Sequence, residues 1–226
     1  MNAPMKREVQ PEILDSLPEG HPEALHNRRD LRLINFFMGN FRWFRRTLPG
    51  HLRDGETGLE LGAGDGSLGS GLFRSNRLPS GVGIDGLDLW SRPDTWPKTW
   101  RWHREDLLAY SGYDRYRFFL ANFILHQFTD EQLAGLGARL RRNARVIVAC
   151  ETARRVIHLR QVWLLRPLGI NRVSWHDARV SIRAGFLGEE LPDLLGLHPE
   201  SWRIQCHTTT RGAYRMIAVR RNRSHQ

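Results

Sequence analysis

The sequence predicts one α/β domain with a mostly parallel sheet, and three observations carry that expectation. From Thr57 onward, short β-like runs alternate with helical patterns, the arrangement of a parallel sheet with crossover helices. The first of these runs ends in a cluster of glycines, and a helical pattern starts straight after it. The last two runs, Trp202 to Thr208 and Ala213 to Arg220, are joined by the turn-like Thr210-Arg211-Gly212 and read as a closing antiparallel pair.

The earlier candidate strands are Gly58 to Leu61, Val82 to Leu89, Thr99 to His103, Arg117 to Asn122 and Arg145 to Cys150. With the closing pair the sheet has seven strands. Gly66 to Phe73, Glu105 to Tyr110 and Asp130 to Arg142 supply helical or helix-starting segments, and a further helical stretch covers Ala153 to Leu168. Ahead of the sheet, Leu31, Ile34, Phe37, Met38, Phe41 and Phe44 recur at spacings of three and four, on one face of a helix or helix pair bent near Gly39-Asn40. Arg28, Arg32, Arg42 and Arg46 fall mostly on the other side. Two readings of that face stand: core packing with the arginines in water, or a lid over an active site that also touches an anionic surface. Residues 1 to 20 carry three prolines and several charges and read as a loosely ordered lead-in, with function starting after them. The expected division is a helical lid or appendage over residues 1–50 and an α/β domain over residues 51–226.

A chain of 226 residues, 40% hydrophobic, is long enough for a continuous core. Its longest apolar runs, such as Phe118 to Leu125, fall well short of the roughly 20 residues needed to cross a bilayer. Met1 to Pro18 has no apolar stretch like the core of a secretory signal, so a cytoplasmic location is expected. Cys150 and Cys206 lack CxxC spacing and read as reduced packing residues, and no metal site is expected. The net charge of +10 fits nucleic acid, a peripheral contact with an anionic membrane, or an acidic substrate. All but Lys6 and Lys98 of the 34 basic residues are arginine, however, a skew that a GC-rich genome produces without selection for binding.

The most informative stretch is Gly58-Leu59-Glu60-Leu61-Gly62-Ala63-Gly64-Asp65-Gly66-Ser67. Glycines without a Cβ let a ligand approach the backbone closely, while free amides at a helix start attract an anion. Gly64-Asp65-Gly66-Ser67-Leu68-Gly69 also fits the dinucleotide fingerprint GxGxxG, so spacing alone does not name the ligand. The acids do more. Glu60 and Asp65 would repel a pyrophosphate but suit the ammonium end of a methionine moiety.

Glu60-Leu61-Gly62-Ala63-Gly64-Asp65-Gly66 resembles motif I of the class I S-adenosylmethionine-dependent methyltransferases, whose loop cradles the methionine part of the cofactor. The resemblance implies a Rossmann-like α/β fold, a seven-stranded mostly parallel sheet with an antiparallel C-terminal strand plus N-terminal helices. It also implies S-adenosylmethionine as cofactor and S-adenosylhomocysteine as product. Gly86-Leu87-Asp88-Leu89 resembles the end of the second strand, where an acid accepts hydrogen bonds from the ribose hydroxyls. Asp88 is the residue implied, and Asp85 is its competitor because Gly83-Ile84-Asp85 also reads as strand followed by acid. Trp102 to Leu107 resembles the segment after the third strand, which gives Asp106 the adenine amino group and Leu107 the ring. Phe119 to Phe128, with Asn122-Phe123-Ile124-Leu125-His126, resembles the motif after strand four in the small-molecule branch.

Enzymes acting on exocyclic amines of bases usually carry Asn/Asp-Pro-Pro-Tyr/Phe after strand four. Here the residues are Ala121-Asn122-Phe123-Ile124, which counts against a nucleic-acid acceptor. The chain most resembles the quinone-pathway methyltransferases and those acting on phenolic products of type III polyketide synthases. Likeness to the second group rests on Asn27-Arg28-Arg29-Asp30-Leu31 and Val180-Ser181-Ile182-Arg183-Ala184-Gly185-Phe186. It implies a small aromatic or lipid-like acceptor, enclosed between the N-terminal helices and the segment from about Ala153 to Leu195. A phenol, with a pKa near 10, needs a base, and His126 and His176 are the candidates, with His158 a third. Three alternatives stay open: an RNA methyltransferase, a nicotinamide-dependent oxidoreductase, and a cofactor-binding partner without activity. Nothing in the sequence reports the oligomeric state.

Overall fold

A computed structural model describes residues 5–163 and 169–221. Seven strands form one Rossmann-like sheet: β1 (Thr57–Leu61), β2 (Gly83–Asp88), β3 (Trp102–Arg104), β4 (Phe118–Asn122), β5 (Val146–Thr152), β6 (Trp202–Thr208) and β7 (Ala213–Arg220). Their spatial order is β3-β2-β1-β4-β5-β7-β6. The pairs among β1 to β5 are parallel, and β7 runs antiparallel to both β5 and β6. The helices are α1 (Pro22–Met38), α2 (Asn40–Thr47), α3 (Ser67–Arg74), α4 (Asp130–Asn143), α5 (Val156–Trp163), α6 (Arg172–Ala184) and α7 (Glu190–Leu194).

Strands β1, β2, β4 and β5 are buried on both faces, so their side chains divide by the period of two. Phe119, Ala121, Ile147 and Ala149 pack with Leu133, Leu136 and Leu140 of α4. Phe118, Leu120, Val146 and Val148 pack on the other face with Leu68 and Leu72 of α3 and with Phe44. Helix α4 starts at a capping box in which Thr129 and Gln132 satisfy each other's amides. Helix α1 ends at Gly39, whose φ of +70° turns the chain into α2.

Four local expectations are corrected. Glu105 to Tyr110 is a single turn, because Asp106 accepts the Leu108 amide through its own side chain and stops propagation. Strand β3 starts only at Trp102, since Thr99 and Trp100 belong to the preceding turn. Of the helical stretch expected over Ala153 to Leu168, α5 occupies Val156–Trp163, and residues 164–168 lie outside the described residues. The expected loose lead-in is instead docked from residue 5 on. Arg7 donates to Asp130 at 2.5 Å, to the Phe128 carbonyl at 2.7 Å and to the Ala184 carbonyl at 2.9 Å. The amides of Ile13 and Leu14 donate to Asp177 on α6.

Strand order reverses between β1 and β4, so the loops leaving these two strands part to opposite faces. Their divergence opens a crevice at the carboxyl ends of the strands.

Candidate functional site

A cavity of about 1010 Å³ fills that crevice. Of the residues expected to hold a cofactor, Glu60, Gly62, Ala63, Gly64, Asp65, Asp88, Leu89, Asp106, Leu107 and Asn122 line it, while Gly66 does not. The loop is glycine-dependent for two separate reasons. Gly62 has φ +60° and a Cβ there would lie 2.4 Å from Ile124. Gly64 has φ +57° and nothing within 4 Å of its missing Cβ, so its backbone is bare toward the crevice.

The two acids of β2 have different surroundings. Asp88 lines the cavity and accepts the amides of Gly64 at 2.7 Å and Trp90 at 2.9 Å. Burial pushes its carboxyl above the usual range, against the pull of those amides and of Arg28. Asp85 lies behind, where it accepts the Arg101 amide and the Tyr116 hydroxyl, and it takes no part in the cavity wall. Arg28 of α1 stacks 3.4 Å over the Trp90 ring, and Arg32 pairs with Asp65 at 2.5 Å. Helix α1 is thereby fastened across the loops that follow β1 and β2.

Glu60 is buried, and its Oε2 has no hydrogen-bond partner among the described residues. Burial first, then the charges of Asp65 and Asp88, push its carboxyl well above the ordinary carboxylate range. Asn27 Oδ1 and Asn122 Oδ1 are also buried without partners, and both residues line the same cavity. A buried polar atom without a partner costs free energy, so these three acceptors fit a ligand that brings N–H or O–H donors. Phe123 follows Asn122 with φ +59°, a strained conformation for a bulky side chain that turns the chain sharply after β4.

The apolar part of the wall comes from Leu31, Ile34, Phe37, Met38 and Phe41, with Val162 on α5 and Ile182 on α6. The amphipathic face read from the sequence is therefore divided: its first five residues line the cavity, and Phe44 is fully buried in the core.

The histidines are placed unequally. His126 lines the cavity but is buried between two carboxylates, Glu151 at 2.6 Å from Nδ1 and Glu12 at 3.2 Å from Nε2. Burial opposes its charge, yet the hydrogen bonds and charges of the two acids raise its pKa to about 10. As an imidazolium it has no ring nitrogen free to take a proton. His176 is 47% exposed, bonds Asp177 through Nδ1 at 3.1 Å and lies outside the cavity wall, where a base would meet no acceptor. His158 lies in the wall.

Sequence reasoning passed over Glu12, Glu151 and Ser181. Glu12 also accepts from Gln127 and from the Ser181 hydroxyl. Glu151 accepts the amides of Ile124 and Leu125 and so shapes the turn after β4. A glutamate ending the apolar run Val146 to Cys150 was the one available signal.

No family model matches the chain, and no curated protein is a detectable relative. Solved structures share its fold. The plantazolicin methyltransferase BpumL, in complex with SAH, matches over 92% of this chain and 93% of its own, with TM-score 0.68 and 10% identity. The pyocyanin biosynthetic protein PhzM matches over 92% of this chain and 60% of its own, with TM-score 0.60 and 16% identity. The methyltransferase domain of bacterial CtHen1-C matches over 81% of this chain and 97% of its own, with TM-score 0.58 and 11% identity. At such identities the likeness is one of fold, and it places this chain's Rossmann-like sheet and added helices in that architecture.

Proposed function

We propose that the chain is an S-adenosylmethionine-dependent methyltransferase acting on a small molecule, by O-methylation of a phenolic, quinol or polyketide-like acceptor. One observation carries the cofactor: the bare Gly64 backbone, the Asp88 carboxylate and Glu60, whose Oε2 has no partner among the described residues, line one cavity. Glu60 would take the methionine ammonium, Asp88 the ribose hydroxyls, and Asp106 with Leu107 the adenine. That BpumL, which shares the fold, is in complex with SAH supports the same choice.

The cofactor would supply an electrophilic methyl group on a sulfonium. The chain's own contribution is to align the acceptor and exclude water, since in-line displacement depends on position. The volume stands at the upper end of ligand pockets, which suits a cofactor and a small acceptor side by side. We assign the strap around Glu12 and the cavity face of α1 the part of a lid that closes the acceptor end, while Phe44 and Leu48 beyond them belong to the core. His126 has a positioning role, holding that strap to the turn after β4. Among the described residues, no helix is long and apolar enough to cross a membrane.

Calorimetry with S-adenosylhomocysteine and with NAD tests the reading. S-adenosylhomocysteine at 100 times its Kd should stabilise the protein by about 2.7 kcal/mol. A melting shift with NAD and none with S-adenosylhomocysteine would overturn it.

A further inference from the structure

The cavity wall on the α5 side holds a histidine whose tautomer is set by its neighbours. The Gln161 amide nitrogen donates to the Thr210 carbonyl at 3.2 Å, which turns the Gln161 carbonyl oxygen toward His158. His158 Nδ1 lies 2.8 Å from that oxygen and therefore carries the proton. Its Nε2 is then a bare lone pair. The residue is only 4% exposed, and Nε2 has no partner among the described residues. Gly212, at φ +88°, packs against the ring, where a Cβ would come within 3.3 Å of it. Its turn is tied in place because Arg211 donates to the Phe37 carbonyl at 2.8 Å.

An unpartnered acceptor in an apolar wall favours a ligand with one donor group on an apolar body. The chemistry narrows that donor further. The bare Nε2 can take the proton of a phenol, whose pKa is near 10, as the new bond forms. An aliphatic hydroxyl, far less acidic, gives up its proton to the same base less readily, so the phenol is the better match.

Resting on the methyltransferase reading above, we infer that His158 is the general base and that the acceptor is a neutral aromatic hydroxyl compound whose O–H donates to Nε2. In the step, the O–H bond breaks with its proton passing to Nε2, and the oxygen forms a bond to the methyl carbon. The carbon–sulfur bond of the sulfonium donor breaks and leaves a neutral thioether. The imidazolium then returns its proton to water. Gln161 is a positioning residue that holds the tautomer.

The test uses the full chain with two probes, 4-propylphenol, un-ionised at pH 8, and 4-nitrophenol, largely ionised there. His158→Ala should lower kcat for 4-propylphenol by about 100-fold or more, leave its KM and S-adenosylhomocysteine affinity within about twofold, and cost 4-nitrophenol less than about tenfold. Gln161→Leu should fall between native and His158→Ala on the first probe. A second readout needs no turnover: at pH 6, with S-adenosylhomocysteine saturating, native protein should generate the nitrophenolate absorbance and His158→Ala should not. His158→Gln replaces His158→Ala if the latter fails to fold. Equal losses on both phenols, or a nitrophenolate band that survives in the variant, overturn the assignment. Binding of S-adenosylhomocysteine with no turnover of either phenol also overturns it and leaves the cofactor reading standing. Failure to bind S-adenosylhomocysteine sinks that reading itself.

Discussion

The Gly64 amide donates to Asp88 Oδ2 over 2.7 Å, so the tip of the β1–α3 loop and the end of β2 form one unit. A ribose held by Asp88 and a methionine chain laid along Gly64 would meet at that bond. The loop is positioned before any ligand arrives, which removes part of the ordering cost of binding.

Asp88→Ala should therefore weaken S-adenosylhomocysteine binding by about 1.5–3 kcal/mol, the range for hydrogen bonds to a charged group. Asp85→Ala should leave binding nearly unchanged but lower stability by about 1–3 kcal/mol, because the Arg101 amide and Tyr116 hydroxyl lose their acceptor. Calorimetry and thermal melts separate the two. A larger binding loss for a folded Asp85→Ala would transfer the ribose role.

Glu60 predicts a pH signature for binding. Its carboxyl is raised by burial and by the charges of Asp65 and Asp88, so a bound ammonium must displace a proton wherever the free form is still protonated. Affinity for S-adenosylhomocysteine should rise with pH above the ordinary carboxylate range, with proton release measurable by calorimetry in buffers of different ionisation enthalpy. Glu60→Gln should abolish the release. Proton uptake by the native protein would contradict this assignment.

The His126 clamp governs stability against pH. A histidine raised to about 10 gives stabilisation that is fully present below about pH 6.5 and lost as pH climbs through 10. Burial works against the Glu12 carboxylate, but His126, Ser181 and Gln127 hold it below its usual value. Its stabilisation is lost on the acid side. The clamp thus favours an optimum near pH 5 to 6.5, with melting temperature falling toward pH 10. His126→Gln should remove the alkaline slope and cost about 3–5 kcal/mol, as breaking a buried ion pair does.

Two substitutions in the first helices separate lid from core. Phe44 is fully buried, and Phe44→Ala should cost about 3–5 kcal/mol, so deleting residues 1–46 should unfold the chain. Phe37 is 44% exposed and lines the cavity, so Phe37→Ala should stay folded, keep cofactor affinity and lose acceptor turnover. Unchanged turnover in Phe37→Ala would place the acceptor elsewhere.

The sheet was legible because parallel strands buried on both faces leave continuous apolar runs, as in Phe118 to Ala121. The glycine loop was legible because φ near +60° at Gly62 and Gly64 leaves the sequence little choice. Helix α6 was not foreseen as an element. Its buried face includes Ser174, Asp177 and Ser181, which bond to Asp30, Ile13 and Glu12, so hydrophobic periodicity has little to report there. Glu12 had no signal at all, since its role depends on partners more than a hundred residues away. His158 could not be ranked above the other histidines until Gln161 and Thr210 fixed its tautomer.

The docked strap also constrains the order in which the protein is made and folded. Glu12 leaves the ribosome well ahead of Ser181, its hydroxyl partner, which lies 169 positions later in the chain. Contacts so distant in sequence close late, after the loop entropy between them has been met. During synthesis the strap waits beside a half-built sheet, with its side of the crevice uncovered and His126 lacking one of its two carboxylates. The cavity closes only when α6 has emerged, so a nascent chain halted before residue 181 exposes an apolar hollow to chaperones and to premature ligands alike.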